Sequence, residues 1–239
     1  MPLARKIVGS AGIAAAAYAC WVRPRLMRWG ATDEELDETF PGAALVPEGE
    51  RAATMAVTIE ASPEQVWPWL VQMGWDRGGW YSWDRLDNNG CPSASEVHPE
   101  WQDLALGDYL QAWSPPSRGP VDAWQVAALE ANRFLGLRGL TDLRGRNLDP
   151  SRPRPSAYIE GLWGFQLKEL PNRRTRLVIG GYQAIRPRWI GRLVFYWFYV
   201  PVVWIMQART LVVLKRNIER ETGAAAPPTE LRDDILVRS

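Results

Sequence analysis

Val57-Thr58-Ile59-Glu60-Ala61-Ser62-Pro63-Glu64-Gln65-Val66-Trp67 is the stretch that decides the fold. Met55, Val57 and Ile59 alternate with Thr54, Ala56, Thr58 and Glu60, the period of two of a half-buried strand. Ser62 then stands as a helix N-cap, Pro63 takes the first helical position, and Gln65 completes a capping box. The helix so begun carries Val66, Trp67, Leu70 and Val71 and stops at Gly74. Pro68 falls in its first turns, where a missing N–H costs little. A strand running into a capped helix therefore opens the main domain.

Downstream, residues 75–113 are loop-rich and aromatic. Strands are expected over 109–113, 123–130, 134–138, 157–169 and 176–185, with hairpin turns at 131–133 and 171–174. In the penultimate strand Trp163, Phe165 and Leu167 alternate with Leu162, Gly164, Gln166 and Lys168, and the first set is expected to face a helix. That helix runs from about residue 189 to 221. From Gln207 onward Leu211, Leu214 and Ile218 form one face, with Arg209, Lys215, Arg216 and Glu219 off it. Pro201 cannot donate to the carbonyl of Trp197 and is expected to kink the helix there. Residues 193–206 are apolar all round, so their far side needs a cover: a bilayer, or the N-terminal helix. The order strand, capped helix, antiparallel strands, long helix predicts an α+β fold. Its antiparallel sheet curves around the C-terminal helix, and any gap between the two becomes a cavity.

Upstream, residues 7–22 carry no charge; Arg5 and Lys6 precede them, and Arg23, Arg25 and Arg28 follow. The run is marginal against the roughly 17–25 residues of a spanning helix. Ala17-Tyr18-Ala19 offers a signal-peptidase site, and Ala19-Cys20 a faint lipoprotein one. The following arginines favour an uncleaved membrane anchor; the alternative is an Ala-rich helix packed on the domain. In the acidic stretch 32–40, Thr32 with Glu35 predicts a second capped helix, ended by Pro41-Gly42. The expected organisation is a hydrophobic anchor over 1–28, a short acidic helix and linker over 29–50, a ligand-binding domain over 51–221, and a disordered tail over 222–239.

The 239 residues suffice for one buried core. A formal net charge of +1 argues against a nucleic-acid partner, and a single His98 against a His-rich metal site. Cys20 and Cys91 form no Cys-x-x-Cys pair, so neither zinc nor a redox couple is implied. No Gly-x-Ser-x-Gly and no phosphate-binding glycine loop occurs, so no cofactor is expected. Tryptophan, present 14 times, suits a ligand pocket, a membrane interface or simply a Trp-rich core.

Trp29-Gly30-Ala31-Thr32, the strand-and-cap motif, Gly78-Gly79-Trp80-Tyr81-Ser82, Asp87-Asn88 and Thr175-Arg176-Leu177 together resemble the helix-grip superfamily, also called SRPBCC. It includes START lipid-transfer domains and the polyketide cyclase/dehydrase group. The resemblance runs from about Trp29 to Glu221. It implies an antiparallel sheet gripping a helix around a hydrophobic ligand, and it carries over no catalytic residue.

The residues themselves offer one polar cluster: Tyr81, Asp84, Asp87, Asn88 and Glu100. Tyr81 could donate to a substrate carbonyl while a carboxylate such as Asp84 takes a proton. Against this, Asp87-Asn88-Asn89-Gly90 reads equally as a turn, Asp84 as a surface residue, and His98 as a surface residue before Pro99. Trp197, Val200 and Trp204 share a helix face. With Tyr196, Trp67, Trp80, Tyr81, Asp84, Trp163 and Phe165 they form the expected ligand-binding set. The expected function is binding or transport of a lipid, polyketide or similar apolar molecule at a membrane, on the cytoplasmic face of the inner membrane; a soluble cytoplasmic protein is the alternative. A cyclase/dehydratase-type enzyme is the second reading, and a structural membrane-associated protein with a collapsed cavity the third.

Overall fold

Asn132 (φ 60°) and Asn172 (φ 65°) adopt the left-handed conformation that closes two tight hairpins. Around those turns the computed structural model, which describes residues 13–112, 123–191, 193, 197 and 199–223, builds one antiparallel sheet. Its strands are β1 (Glu50–Arg51), β2 (Met55–Ile59), β3 (Tyr109–Gln111), β4 (Ala123–Glu130), β5 (Phe134–Thr141), β6 (Tyr158–Leu170) and β7 (Arg174–Arg186). They lie in the order β1-β7-β6-β5-β4-β3, and β2 also pairs with β7. The helices are α1 (Arg23–Met27), α2 (Asp33–Asp37), α3 (Pro63–Val71), α4 (Asp84–Asp87), α5 (Arg188–Ile190) and α6 (Val200–Glu221). The capping box that starts α3 is present, with the Ser62 amide donating to Gln65 Oε1 at 3.0 Å.

The alternation in β6 sorts its side chains as the sequence implies. Phe165 and Leu167, with Trp163 beside them, join Leu211, Leu214 and Ile218 of α6 and Ile59, Leu177 and Ile179 in one apolar core. The fold is α+β, a sheet gripping a C-terminal helix.

The opposite face of the sheet is covered too, which the sequence reading does not anticipate. Phe40 lies on Gly164 of β6 and Gly180 of β7, which are cross-strand partners. A Cβ at Gly164 would come within 2.5 Å of the Phe40 ring, so the two glycines form the flat seat that ring occupies. The Tyr182 hydroxyl donates to the Phe40 carbonyl at 2.9 Å, and the Arg51 guanidinium sits 4.9 Å from the ring centre. Upstream, the amides of Thr54 and Ala56 donate to the carbonyls of Met27 and Trp29. Gly30 (φ 72°) is obligatory in this close approach: a Cβ there would lie 2.2 Å from the Ala56 carbonyl oxygen. Glu35 closes the capping box with Thr32 and also accepts two hydrogen bonds of 2.8 Å from Arg176 on β7. Burial alone would raise the Glu35 carboxyl; the Arg176 hydrogen bonds and the Thr32 amide outweigh it and hold the group below the ordinary range.

Three expectations are corrected. The acidic helix spans only Asp33–Asp37. The C-terminal helix is not continuous from residue 189: α5 is followed by π-helical geometry at described residues between 191 and 199, and regular α-helix begins at Val200. Pro201 therefore stands in the first turn of α6 rather than at a kink within it, because the N–H it lacks would have extended the regular ladder back to Trp197. Among the described residues no helix is long and apolar enough to cross a membrane, and the expected anchor run over 7–22 lies partly outside them. The N-terminal helix, followed from residue 13, meets Arg23 and Pro24 soon after Val22. Residues 1–12 and the tail from 224 lie outside the described residues.

Candidate functional site

A cavity of about 430 Å³ separates the sheet from the first turns of α6. Its origin can be read row by row across β6 and β7. Leu167 pairs with Leu177 and Phe165 with Ile179; then Trp163 pairs with Gly181 and Gly161 with Gln183. On the helix-facing side glycine thus stands opposite Trp163, as Gly181, and two residues further along β6, as Gly161, and these two positions leave the space beneath the helix. The cavity continues to Ile185, opposite Ile159, so it extends from Trp163 over four residues of β6, on the order of 13 Å.

The Gly78-Gly79-Trp80-Tyr81 motif supplies one wall. Gly74 and Gly79 exchange backbone hydrogen bonds of 2.9 and 3.2 Å, and Gly79 (φ 76°) has no room for a side chain against Ser93. This tight loop turns Trp80 into the cavity. Its indole N–H donates to the Ala112 carbonyl at 3.1 Å, and its own carbonyl accepts the Thr210 hydroxyl of α6 at 3.0 Å. Trp80 and Trp163 have ring centres 5.4 Å apart, and Trp124 lies 5.8 Å from Trp163. All three line the cavity, giving a wall of flat apolar surface.

Of the expected ligand-binding residues, Trp80, Trp163 and Val200 line the cavity. Trp67 and Trp204 are half-buried against the core, and Phe165 is wholly within it. Trp197 stacks on Tyr18 of the N-terminal helix at 5.3 Å rather than on the cavity. Tyr196 lies outside the described residues. Neither catalytic candidate reaches the cavity. Tyr81 (φ 56°) is fully buried, its hydroxyl accepts from Gln72 Nε2 at 2.6 Å, and burial pushes that hydroxyl well up. Asp84 Oδ1 accepts from the Ser93 amide at 3.1 Å and the Ser93 hydroxyl at 2.7 Å, tying down the loop. Glu100 is exposed, 3.3 Å from the His98 ring.

The member of the polar cluster that borders the cavity is Asp87, three residues past Asp84 on α4. It is buried, and neither carboxyl oxygen has a well-aligned hydrogen-bond partner in the protein. Burial pushes this carboxyl above the ordinary carboxylate range, with Asp84 adding to the effect and the Ser82 hydroxyl opposing it. Ser82 and Gln207 border the cavity as well, and the Ser82 hydroxyl donates to the Met206 carbonyl at 3.3 Å. Toward the mouth, burial raises the Tyr199 hydroxyl against a hydrogen bond with Gln183. Arg186 bridges to Glu48, and Arg23 and Met27 close one side. Among the described residues no cluster of His, Cys, Asp and Glu could hold a metal ion.

Sequence reasoning missed Trp124, Gln183 and Gln207. Trp124 carried a signal: it begins a strand and is a large aromatic in an otherwise small-residue run. The other two carried none, because a glutamine on a strand or helix is ordinarily solvent-facing.

No family model matches the chain, and no curated protein matches it in sequence. Solved structures are similar to it. One is a polyketide-cyclase-like protein from Corynebacterium glutamicum, at 15% identity over 75% of this chain and 97% of the other, TM-score 0.33. Another is norcoclaurine synthase from Thalictrum flavum, solved with dopamine and hydroxybenzaldehyde, at 13% identity over 74% and 95%, TM-score 0.36. A third is an aromatase/cyclase from a Streptomyces species, at 16% identity over 73% and 96%, TM-score 0.31. The helix-grip class of this chain rests on its own strand order and on the helix lying across the sheet.

Proposed function

We propose that the protein binds an apolar small molecule, a lipid, polyketide or similar compound, between the sheet and α6, and carries it to or from a membrane surface. The observation that supports this reading is the elongated cavity with Trp80, Trp124 and Trp163 along its wall. A volume of about 430 Å³ suits a small apolar ligand, and sites of this kind join a largely apolar wall to a few placed polar groups. Here Ser82, Asp87, Gln183 and Gln207 are such groups, and Arg23, Glu48, Glu50, Arg51, Arg186 and Arg188 add charged side chains to the lining.

The probe N-phenyl-1-naphthylamine, uncharged and bright only in apolar surroundings, tests the reading. Binding at micromolar concentration with quenching of Trp emission is expected, together with an apolar compound seen by mass spectrometry of natively extracted protein. A protein that neither brightens the probe nor retains any small molecule does not act as a carrier.

Asp87 favours one second reading, a cyclase/dehydratase-type enzyme. A carboxyl raised by burial at the edge of an apolar cavity holds its proton to higher pH and can serve as a general acid. In that reading the acid is Asp87, while Tyr81 and Asp84 keep the surrounding loop in shape. Turnover lost in Asp87→Asn with the probe still bound would move the assignment from carrier to enzyme.

A further inference from the structure

The mouth of the cavity is bordered by side chains that a water-facing protein ordinarily buries. On the N-terminal helix Trp21 is 67% exposed, with Val22 exposed beside it. On the segment leading into α6, Trp189 is 67% and Leu193 56% exposed. On α6 itself Val202 is 55% exposed, and Ile205, one turn on, shares its face. Each of these groups is, or lies within two residues of, a residue that lines the cavity: Val202 itself, Arg23 after Trp21 and Val22, Arg188 before Trp189, Gly191 before Leu193, and Met206 after Ile205. Tyr18 stacks on Trp197, which fixes the N-terminal helix against the segment before α6. Arg23, Met27, Arg188, Gly191 and Val202 all line the same cavity.

Arginines interleave with the apolar groups. Arg25 folds back so that its guanidinium donates to the Trp21 carbonyl at 2.6 Å. Arg188 is exposed next to Trp189, and Arg23 lies at the mouth. The carboxylates facing them are Glu48, bridged to Arg186, and Glu50. The whole chain carries a formal net charge of only +1, so this basic border is local. Exposed tryptophans flanked by arginines match the two layers of a bilayer surface: the rings take the acyl boundary and the guanidiniums the phosphates. Among the described residues no helix is long and apolar enough to cross a membrane.

We propose that the rim formed by Trp21, Trp189, Leu193 and Val202 with Arg25 and Arg188 is a peripheral docking surface for an anionic lipid bilayer, seating the cavity mouth against the membrane. The inference rests on the carrier reading for its purpose and not for its geometry. A ligand that partitions into lipid then passes between bilayer and cavity without crossing water.

Sedimentation of the full-length protein with vesicles tests it. Vesicles of phosphatidylcholine with about a third phosphatidylglycerol should retain the protein at low salt, and pure phosphatidylcholine should retain it at least about tenfold less. The anionic-vesicle signal should fall at 0.5 M salt, where the Debye length shrinks to about 4 Å from about 10 Å at 0.1 M. The double variant Trp21→Glu/Trp189→Glu should lose at least about tenfold in apparent affinity, equivalent to about 1.4 kcal/mol. Arg25→Glu, which removes no apolar contact and lies off the cavity wall, should lose about fivefold; it serves where the first variant does not fold. N-phenyl-1-naphthylamine binding, measured without vesicles, should stay within about twofold of wild type in both. Equal retention on neutral and anionic vesicles, or variants that sediment like wild type, overturns the proposal. So does Trp21- and Trp189-dependent self-association in place of lipid binding, which would make the rim's occupant a second copy of the chain. Failure of the probe to bind while vesicles are still bound would instead remove the carrier reading and leave the docking surface standing.

Discussion

The two halves of the space beneath α6 are roofed by one helix and floored by the same two strands, yet they end differently. Toward the β6–β7 turn, Leu211, Leu214 and Ile218 meet Phe165, Leu167, Leu177 and Ile179, and every one of these side chains is buried. Toward the other end, Val200, Val203 and Met206 face Gly161 and Gln183 across a cavity, and Val202 and Ile205 reach solvent. The sheet-facing side of the helix is not what differs, since it is largely apolar at both ends. The sheet differs: its helix-facing row loses volume at Gly181 and Gly161. A cavity in this architecture is made by what the floor leaves out, and its size is set by one or two glycines.

The comparison can be broken most severely at the packed end. Phe165→Ala should cost about 3–5 kcal/mol, read as the loss in unfolding free energy in urea, because the surrounding core cannot collapse onto the hole. At the open end the opposite substitution should be tolerated. A Cβ at Gly161 meets nothing closer than 3.6 Å, so Gly161→Leu should fill the cavity, weaken N-phenyl-1-naphthylamine binding at least about tenfold, and leave the thermal midpoint near wild type. Gly164→Leu, three residues on but on the other face, should instead destabilise the protein, because a Cβ there runs into Phe40. If Gly161→Leu binds the probe as wild type does, the ligand site lies elsewhere.

Asp87 sharpens the contrast through pH. Its carboxyl is raised in the folded protein, so between the unfolded and folded pKa the native state holds more protons than the unfolded one. Its contribution to stability is therefore lost as pH rises through that window, upward from the ordinary carboxylate range. Glu35 and Glu160, both held low in arginine bridges, act in the reverse sense: their contributions are present above the ordinary range and are lost as pH falls. Asp87→Asn should flatten the alkaline-side decline of stability in urea titrations between pH 4 and 8 and leave the acid limb unchanged. The smallest effect belongs to Tyr81→Phe. Losing the Gln72 hydrogen bond should cost about 1 kcal/mol by thermal melting, with probe affinity unchanged within about twofold, since Tyr81 does not line the cavity.

The sheet was legible because its signals are local. Alternation over residues 55–59 and 158–170 and turn residues at Asn132 and Asn172 act within a few positions of one another. The covering of the outer face was not legible, because Phe40 and its seat at Gly164 and Gly180 are far apart in sequence and the glycines read merely as weak strand formers. The cavity wall was legible in part. Trp80 and Trp163 follow from a motif and a period. Whether Asp84 or Asp87 turns inward depends on the pitch of a four-residue helix, α4, too short to show a period. Of the apolar first half of the C-terminal helix, Leu193, Val202 and Ile205 are exposed, and Trp197, expected over the cavity, is covered from the other side. That cover is Tyr18, in a contact across nearly the whole chain.

That N-terminal segment, held by Glu35 to Arg176 over 141 residues and by Phe40 on its two glycines, has a consequence in time rather than in space. Closing so long a loop carries an entropic cost that local hairpins do not bear, so the strap is expected to dock after β6 and β7 have paired and to lift away before them. Amides of Thr54 and Ala56, bonded to its carbonyls, then exchange with solvent by a partial opening that leaves the β6–β7 ladder intact. Arg23 and Met27, which close one side of the cavity, belong to the same segment. If the proposed ligand enters past them, its association rate should level off at high ligand concentration, at the rate at which the strap undocks; a stopped-flow rate that stays linear would show that uptake does not wait on the strap.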